Sequence, residues 1–152
     1  VTERPLPNRR KGWNQRARFV GHTLYIRTGE YEDGTLGEVF LDISKQGTLL
    51  RGLLNAFAIS VSIGLQHGAP LSAYYRAFRG MKFPPDGLVT AGLPDDPERV
   101  LDCSSIPDLL VRELAAAYMP AVLPEQPATV PCSNCGAPAE FGCRCPQCAE
   151  MT

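Results

Sequence analysis

Histidine is almost missing from this sequence. His22 and His67 are the only two in 152 residues, and neither stands at a ligand-like spacing from a partner, which removes the case for a histidine-centred metal site. Tryptophan occurs once and aromatic residues make up 8% of the chain, so no cluster of rings offers itself as a base-stacking platform. Neither sign of charge is in excess: the formal net charge is −1, which excludes a protein that seeks polyelectrolytes with its whole surface. Long hydrophobic runs are lacking too. The longest, residues 56–65, is half the roughly 20 residues of a membrane helix. No secretory leader pattern opens the chain, and no internal repeat is visible. These absences lead to the expectation of a cytoplasmic protein without membrane contact. In that compartment, clustered cysteines point to metal or redox chemistry more than to structural disulfides.

What is present is unevenly distributed. The first 18 residues hold Arg4, Arg9, Arg10, Lys11, Arg16 and Arg18 against the single acid Glu3, a local net charge of +5. Residues 1–15, with two prolines and no apolar periodicity, read as an extended basic arm. It is either a solvated terminus or a segment that docks on phosphates or on another domain, with Arg9, Arg10 and Lys11 as the candidate contacts. Trp13 is free either to stack on a base or to anchor the arm.

Residues 16–120 read as one α+β domain. A three-stranded antiparallel meander is expected over residues 16–43, with turns at Gly21-His22 and Asp33-Gly34. Val39, Leu41 and Ile43 alternate with Glu38, Phe40 and Asp42. Residues 47–66 carry apolar residues at helical spacing with few polar ones, so a helix buried around most of its circumference is expected to cover the sheet. Asn55, set in that apolar helix, needs hydrogen-bond partners if buried. Pro70 suits the first turn of a second helix over 71–79, whose Tyr74, Tyr75 and Phe78 read as packing. Residues 80–103, rich in Pro, Gly and Asp, read as a long loop. A third helix follows over 104–119, capped by Ser104 or Ser105, with Pro107 in its first turn and Asp108 at its positive end. Glu30, Glu32, Asp33 and Glu38 form an acidic turn with no companion His or nucleophile.

Pro120, Pro124, Pro127 and Pro131 mark residues 121–131 as a stiff linker. Five of the six cysteines follow within residues 132–152. Cys132-x2-Cys135 and Cys145-x2-Cys148 are two knuckles separated by nine residues. Each knuckle directs two sulfurs to one point, and together they make a tetrahedral S4 site suited to structural zinc. Cys143 is a fifth thiol, either an alternative ligand or a redox-active spare activated by the cluster and Arg144.

The stretches "LPNRRKGWNQRAR", "GHTLYIRTGEYEDGTLGEVFLDI", "NAFAISVSIGLQHGAPL", "FPPDGLV" and "SSIPDLLVRELAAAY" resemble the TSCPD domain in the C-terminal region of adenosylcobalamin-dependent (class II) ribonucleotide reductases. The cysteine module is similar to the metal-ribbon tails of some of them. One departure stands out: the motif that gives the domain its name has a cysteine before Pro-Asp, and here Ile106 holds that place, with Cys103 the nearest thiol. The reductases' catalytic barrel, with its radical cysteine and cobalamin site, is too large for this chain. The resemblance therefore implies a module that assembles with, regulates or extends a reductase barrel domain or chain in deoxyribonucleotide synthesis, meeting adenosylcobalamin only through that partner and having no catalytic residue of its own. It also implies a rival, in which Cys145-Pro146-Gln147-Cys148 acts as a C-terminal thiol shuttle that re-reduces the active site. A further alternative is a zinc-ribbon adaptor for nucleic acid or protein. A homodimer through the apolar helix is a candidate assembly.

Overall fold

In the computed structural model, the described residues are 2–19, 21–44 and 47–120, together with the strand residues 130–131 and 138–139. The chain divides into two compact units, 1–120 and 121–152. In the first, five antiparallel strands form one sheet in the order β3-β2-β1-β4-β5. They are β1 (Asn14–Phe19), β2 (His22–Glu30), β3 (Leu36–Ile43), β4 (Gly87–Thr90) and β5 (Val100–Cys103). Three helices, α1 (Thr48–Gln66), α2 (Leu71–Phe78) and α3 (Ile106–Tyr118), complete the α+β body. In the second unit, β6 (Val130–Pro131) pairs antiparallel with β7 (Pro138–Ala139).

The expected meander is present as β1-β2-β3, and its turns follow from local chemistry. Phe19 pairs with His22 and Gly21 has φ +80°, so Gly21 belongs to the turn while His22 already belongs to β2. At the second hairpin Gly34 has φ +81°, Tyr31 N–H donates to Thr35 O at 2.9 Å, and Asp33 accepts from the Thr35 amide at 3.0 Å. Alternation along the strands sends Ala17, Phe19, Leu24, Ile26, Val39, Leu41 and Ile43 inward, where they meet Leu54, Ala58 and Val61 of α1 and Ile106, Leu109, Leu110 and Leu114 of α3.

Two expectations are corrected. Residues 80–103 are not one loop: β4 and β5 form a hairpin that extends the sheet to five strands. Each of these strands has four residues and only one buried side chain, Val89 or Cys103, too little alternation to register as a pattern. Helix α1 is also not buried around its circumference. Leu54, Ala58, Val61 and Ser62 are buried, while Leu49, Leu53, Ile59 and Ile63 are exposed. By length and composition its window Leu49–Gln66, mean hydropathy 1.4, would suffice to cross a membrane, which a count of the ten-residue run alone missed. Asn55 is exposed as well, so no buried partner is required of it.

Helix α1 seals an edge of the sheet. Strand β3 is terminal in the strand order, and its outward backbone groups at Val39 meet Ser62. The Ser62 hydroxyl accepts from Val39 N–H at 2.9 Å and lies 2.8 Å from Ala58 O and 3.2 Å from Val39 O, which share its proton. One turn on, Gln66 Nε2 donates to Gly37 O at 3.2 Å. An edge strand is a template for unwanted pairing, and covering it with a helix removes that hazard. Packing beside this seal is tight: a Cβ on Gly64 would lie 1.7 Å from Tyr74 Oη, and Phe57 meets Phe78 edge-on at 5.1 Å. Ser62→Ala leaves the buried Val39 N–H without an acceptor, and chemical denaturation should show a loss of about 1–3 kcal/mol.

Candidate functional site

The stretch Ser104–Ser105–Ile106–Pro107–Asp108 starts α3. Ser105 is the N-cap, its Oγ accepting from Asp108 N–H at 3.3 Å, and Pro107 sits in the first turn where it forfeits no bond. The Asp108 side chain is wholly buried. It accepts from Gly80 N–H at 2.7 Å, Ser104 N–H at 2.9 Å and Arg112 Nε at 3.1 Å. Arg112 in turn donates to Asp102 O at 3.0 Å. A second sealed acid, Glu113, pairs with Arg99, whose Nε donates to Ala91 O at 3.0 Å. Both carboxylates are fully engaged in holding the β4–β5 hairpin and the turn after α2 onto α3. Glu113 borders a cleft of about 490 Å³ lined also by Trp13, Gln15 and Gly92, and there it is paired with Arg99.

Cys103, the thiol nearest to that stretch, is 1% exposed. Burial pushes it up from the ordinary 9.0 to about 12, against a smaller opposing pull from Arg112. A thiol held protonated in an apolar setting is inert. At the other end of α3, Tyr118 Oη donates to Glu30 Oε1 at 2.7 Å and receives the Thr28 hydroxyl at 3.0 Å, while Thr28 Oγ1 accepts from Trp13 N–H at 3.0 Å. Burial, with the Glu30 carboxylate adding to it, raises the phenol above its usual range.

The basic arm is docked. Trp13 O and Lys11 O accept from Thr28 and Glu30 of β2 at 3.0 and 2.9 Å, and a Cβ on Gly12 would fall 1.8 Å from Thr28 O, so only glycine passes there. Arg4 lies 3.8 Å over the Tyr31 ring, pairs with Asp33 at 2.9 Å, and donates its N–H to Gln66 O at 2.9 Å. The Thr35 hydroxyl and amide, and then Arg4, hold Asp33 down at about 2. Of the three candidate contacts, Arg10 is committed to Glu38 and to the carbonyls of Pro7 and Asn8. The side chains of Arg9 and Lys11 have no hydrogen-bond or ion-pair partner among the described residues. All three line a cleft of about 620 Å³ that also contains Glu30 and Glu32, so a phosphate there would meet both signs of charge. A neighbouring cleft of about 520 Å³ brings Thr2 and Arg4 beside Tyr118.

Sequence reasoning missed a second cationic surface. On the face of the sheet turned away from α1 and α3, Arg16 pairs across from Tyr25, which pairs across from Asp42. Asn14 faces Arg27, which faces Phe40, and Arg18 faces Thr23 and Thr90. Arg16, Arg18 and Arg27 are exposed and make no ion pair among the described residues. Tyr25, Arg27, Phe40, Asp42, Arg51 and Asn55 line a cleft of about 420 Å³. The period-2 alternation that hid Leu24 and Ile26 carried this signal, but the arginines are spread over two strands and form no run.

Comparison with known proteins now bears on the arrangement. The TSCPD domain family matches residues 2–118. The chain belongs to this family. A vitamin B12-dependent ribonucleotide reductase of Agrobacterium fabrum is 45% identical over 114 residues, 75% of this chain and 9% of the relative. That of Bradyrhizobium diazoefficiens is 47% identical over the same shares. A third, from Rhodopirellula baltica, is 28% identical over 114 residues, 75% of this chain and 10% of the relative. The chain thus spans about a tenth of the length of these relatives. No solved structure matches it.

In this TSCPD domain the Pro107-Asp108 stretch is structural: cap, first turn and carboxylate clamp. Among the described residues no three His, Cys, Asp or Glu side chains gather as a metal site. Cys132, Cys135, Cys143, Cys145 and Cys148 lie outside the described residues; β6 and β7 bracket the first knuckle in sequence. Cys103 carries a pH prediction. Above pH 9 the unfolded chain loses a proton that the folded chain keeps, so stability falls as pH rises from about 9 toward 12, by at most about 1.4 kcal/mol per unit. Tyr118 adds to the same slope. Denaturant melts across that range should show the decline, a Cys103→Ala variant should lose the thiol's part of it, and a thiol reagent should label Cys103 only after unfolding.

Proposed function

We propose that this TSCPD domain is a non-catalytic accessory or terminal domain of vitamin B12-dependent ribonucleotide reduction in the cytoplasm. It assembles with, regulates or extends a larger reductase chain whose barrel supplies the adenosylcobalamin site and the radical chemistry. The observation that carries this reading is the family match over residues 2–118 together with the match of 114 residues to about a tenth of each of three reductases. The burial of Asp108, Glu113 and Cys103 supports it, because these three groups, among the described residues, are spent on the fold. The four knuckle cysteines Cys132, Cys135, Cys145 and Cys148 hold one structural zinc in this reading, which leaves them unavailable as a thiol shuttle. The test uses the Agrobacterium fabrum reductase lacking the region that matches this chain over 114 residues. Added in trans, this chain should bind the shortened enzyme and change its turnover, and metal analysis of the same preparation should give one zinc per chain. Absence of binding and of any effect on turnover would overturn the accessory role. A metal-free chain with reversible Cys145–Cys148 oxidation would favour the shuttle.

The open sheet face favours a second reading, a nucleic-acid adaptor. Unpaired Arg16, Arg18 and Arg27 beside Tyr25 and Phe40 combine phosphate-neutralising charge with rings able to stack on bases. An oligonucleotide titration should then show binding that weakens with salt, and Arg16→Ala with Arg27→Ala should flatten the salt slope by about two. Neutralising Arg9 and Lys11 should matter less, given the carboxylates around them.

A further inference from the structure

Helix α1 presents to solvent a stripe that the domain itself does not explain. Leu49, Leu53, Ile59 and Ile63 are 75, 59, 50 and 53% exposed, and Gly52, Ala56 and Ser60 between them are exposed too. At helical spacing these seven residues share one face, opposite buried Leu54, Ala58 and Val61. The single charged residue of the helix, Arg51, lies off that face and pairs with Asp42 at 3.2 Å. A helix whose outer face meets only water carries charge there. Gly52 sharpens the anomaly. Glycine is the poorest helix former after proline, yet a Cβ at this position would meet nothing within 4 Å. No contact inside the domain calls for a residue without a side chain.

The order of the stripe supplies the occupant. Counted from Ala56, it reads alike in both directions. Leu53 and Ile59 stand three residues away, Gly52 and Ser60 four, Leu49 and Ile63 seven. A two-fold axis through Ala56 sets each residue against its counterpart on an antiparallel copy: Leu49 on Ile63, Leu53 on Ile59, Gly52 on Ser60. An isologous interface sets residue i on residue j and j on i, and here the residues so paired match in size, large on large and small on small. The small residues let two backbones approach and the large ones fill the flanks, over about 21 Å of helix. The four large side chains expose on the order of 400 Å², within the range that marks interaction sites. With the small residues and the borders included, two copies bury roughly 1,200 Å², the lower bound for a stable interface.

We propose that α1 is a self-association seam, two copies of this chain packing antiparallel across a two-fold axis at Ala56. The inference does not rest on the reductase reading. Area alone does not fix affinity, and for a seam at the lower bound of size the weak end of the range, on the order of micromolar, is expected. The test is sedimentation equilibrium of the full chain over a micromolar concentration series, with a thermal melt showing that each variant is folded. Wild type should dimerise. Ala56→Glu and Ala56→Lys, at an exposed position that meets itself across the axis, should each weaken the dimer more than about ten-fold, and their equimolar mixture should restore a one-to-one pair. Gly52→Leu adds apolar surface where the folded monomer has room. It should also abolish the dimer, whereas a merely sticky helix would associate more. The proposal is overturned if wild type stays monomeric throughout, if Gly52→Leu associates as well as wild type, or if the mixed charge variants stay apart. Capture of a wild-type monomer by phosphatidylglycerol vesicles would give the face to a lipid surface and overturn it as well.

Discussion

A single carboxylate with no access to solvent holds the helical layer to the sheet. Asp108 gathers an amide from the turn after α2, an amide from the end of β5 and the guanidinium of Arg112 on its own helix. An ionised group is tolerated in such a place only when its acceptor capacity is filled, and here three donors converge on it. The constraint fixes where α3 begins, and hence how Leu109, Leu110 and Leu114 enter the core. Glu113 repeats the device one turn further, tying Arg99 and the strand connection at Ala91 to the same helix. Pro107 and Asp108 of this chain are thus placed by architecture, one in the first turn of α3 and the other as its clamp.

The other side of the body depends on a hydroxyl. Ser62 meets the backbone of β3 where a neighbouring strand would otherwise pair, and Gln66 continues the contact. The sheet is sealed at this edge by α1 and on one face by α1 and α3, which leaves the opposite face to Arg16, Arg18, Arg27, Tyr25 and Phe40. Charge is partitioned accordingly. Three cations of the arm and of α1 are consumed by acids, Arg4 by Asp33, Arg10 by Glu38 and Arg51 by Asp42, while Arg16, Arg18 and Arg27 of the sheet face make no ion pair among the described residues.

Much of this was legible in the residues. The Asp33-Gly34 turn, the alternation of β2 and β3, the apolar rows of α1 and the Ser105-Pro107-Asp108 helix start are local signals, and each led to the observed element. The β4–β5 hairpin was not legible, because a four-residue strand with one inward side chain leaves no periodicity and its pairing partners are distant in sequence. The exposure of α1 was hidden for a related reason: composition reports how apolar a helix is, not how many neighbours it has. Arg9, Arg10 and Lys11 looked alike as a basic run, and only the fold separates Arg10, bound to Glu38, from the other two. The sheet-face arginines were invisible as a group until register placed them side by side.

One geometric detail bears on how such a body travels between proteins. Thr2 and Arg4 share a cleft with Tyr118, so the strand of chain that enters the folded body and the one that leaves it sit together at a single corner. A unit with that layout behaves as a cassette. A host polypeptide can acquire it or shed it at one junction without its own path being stretched or rerouted.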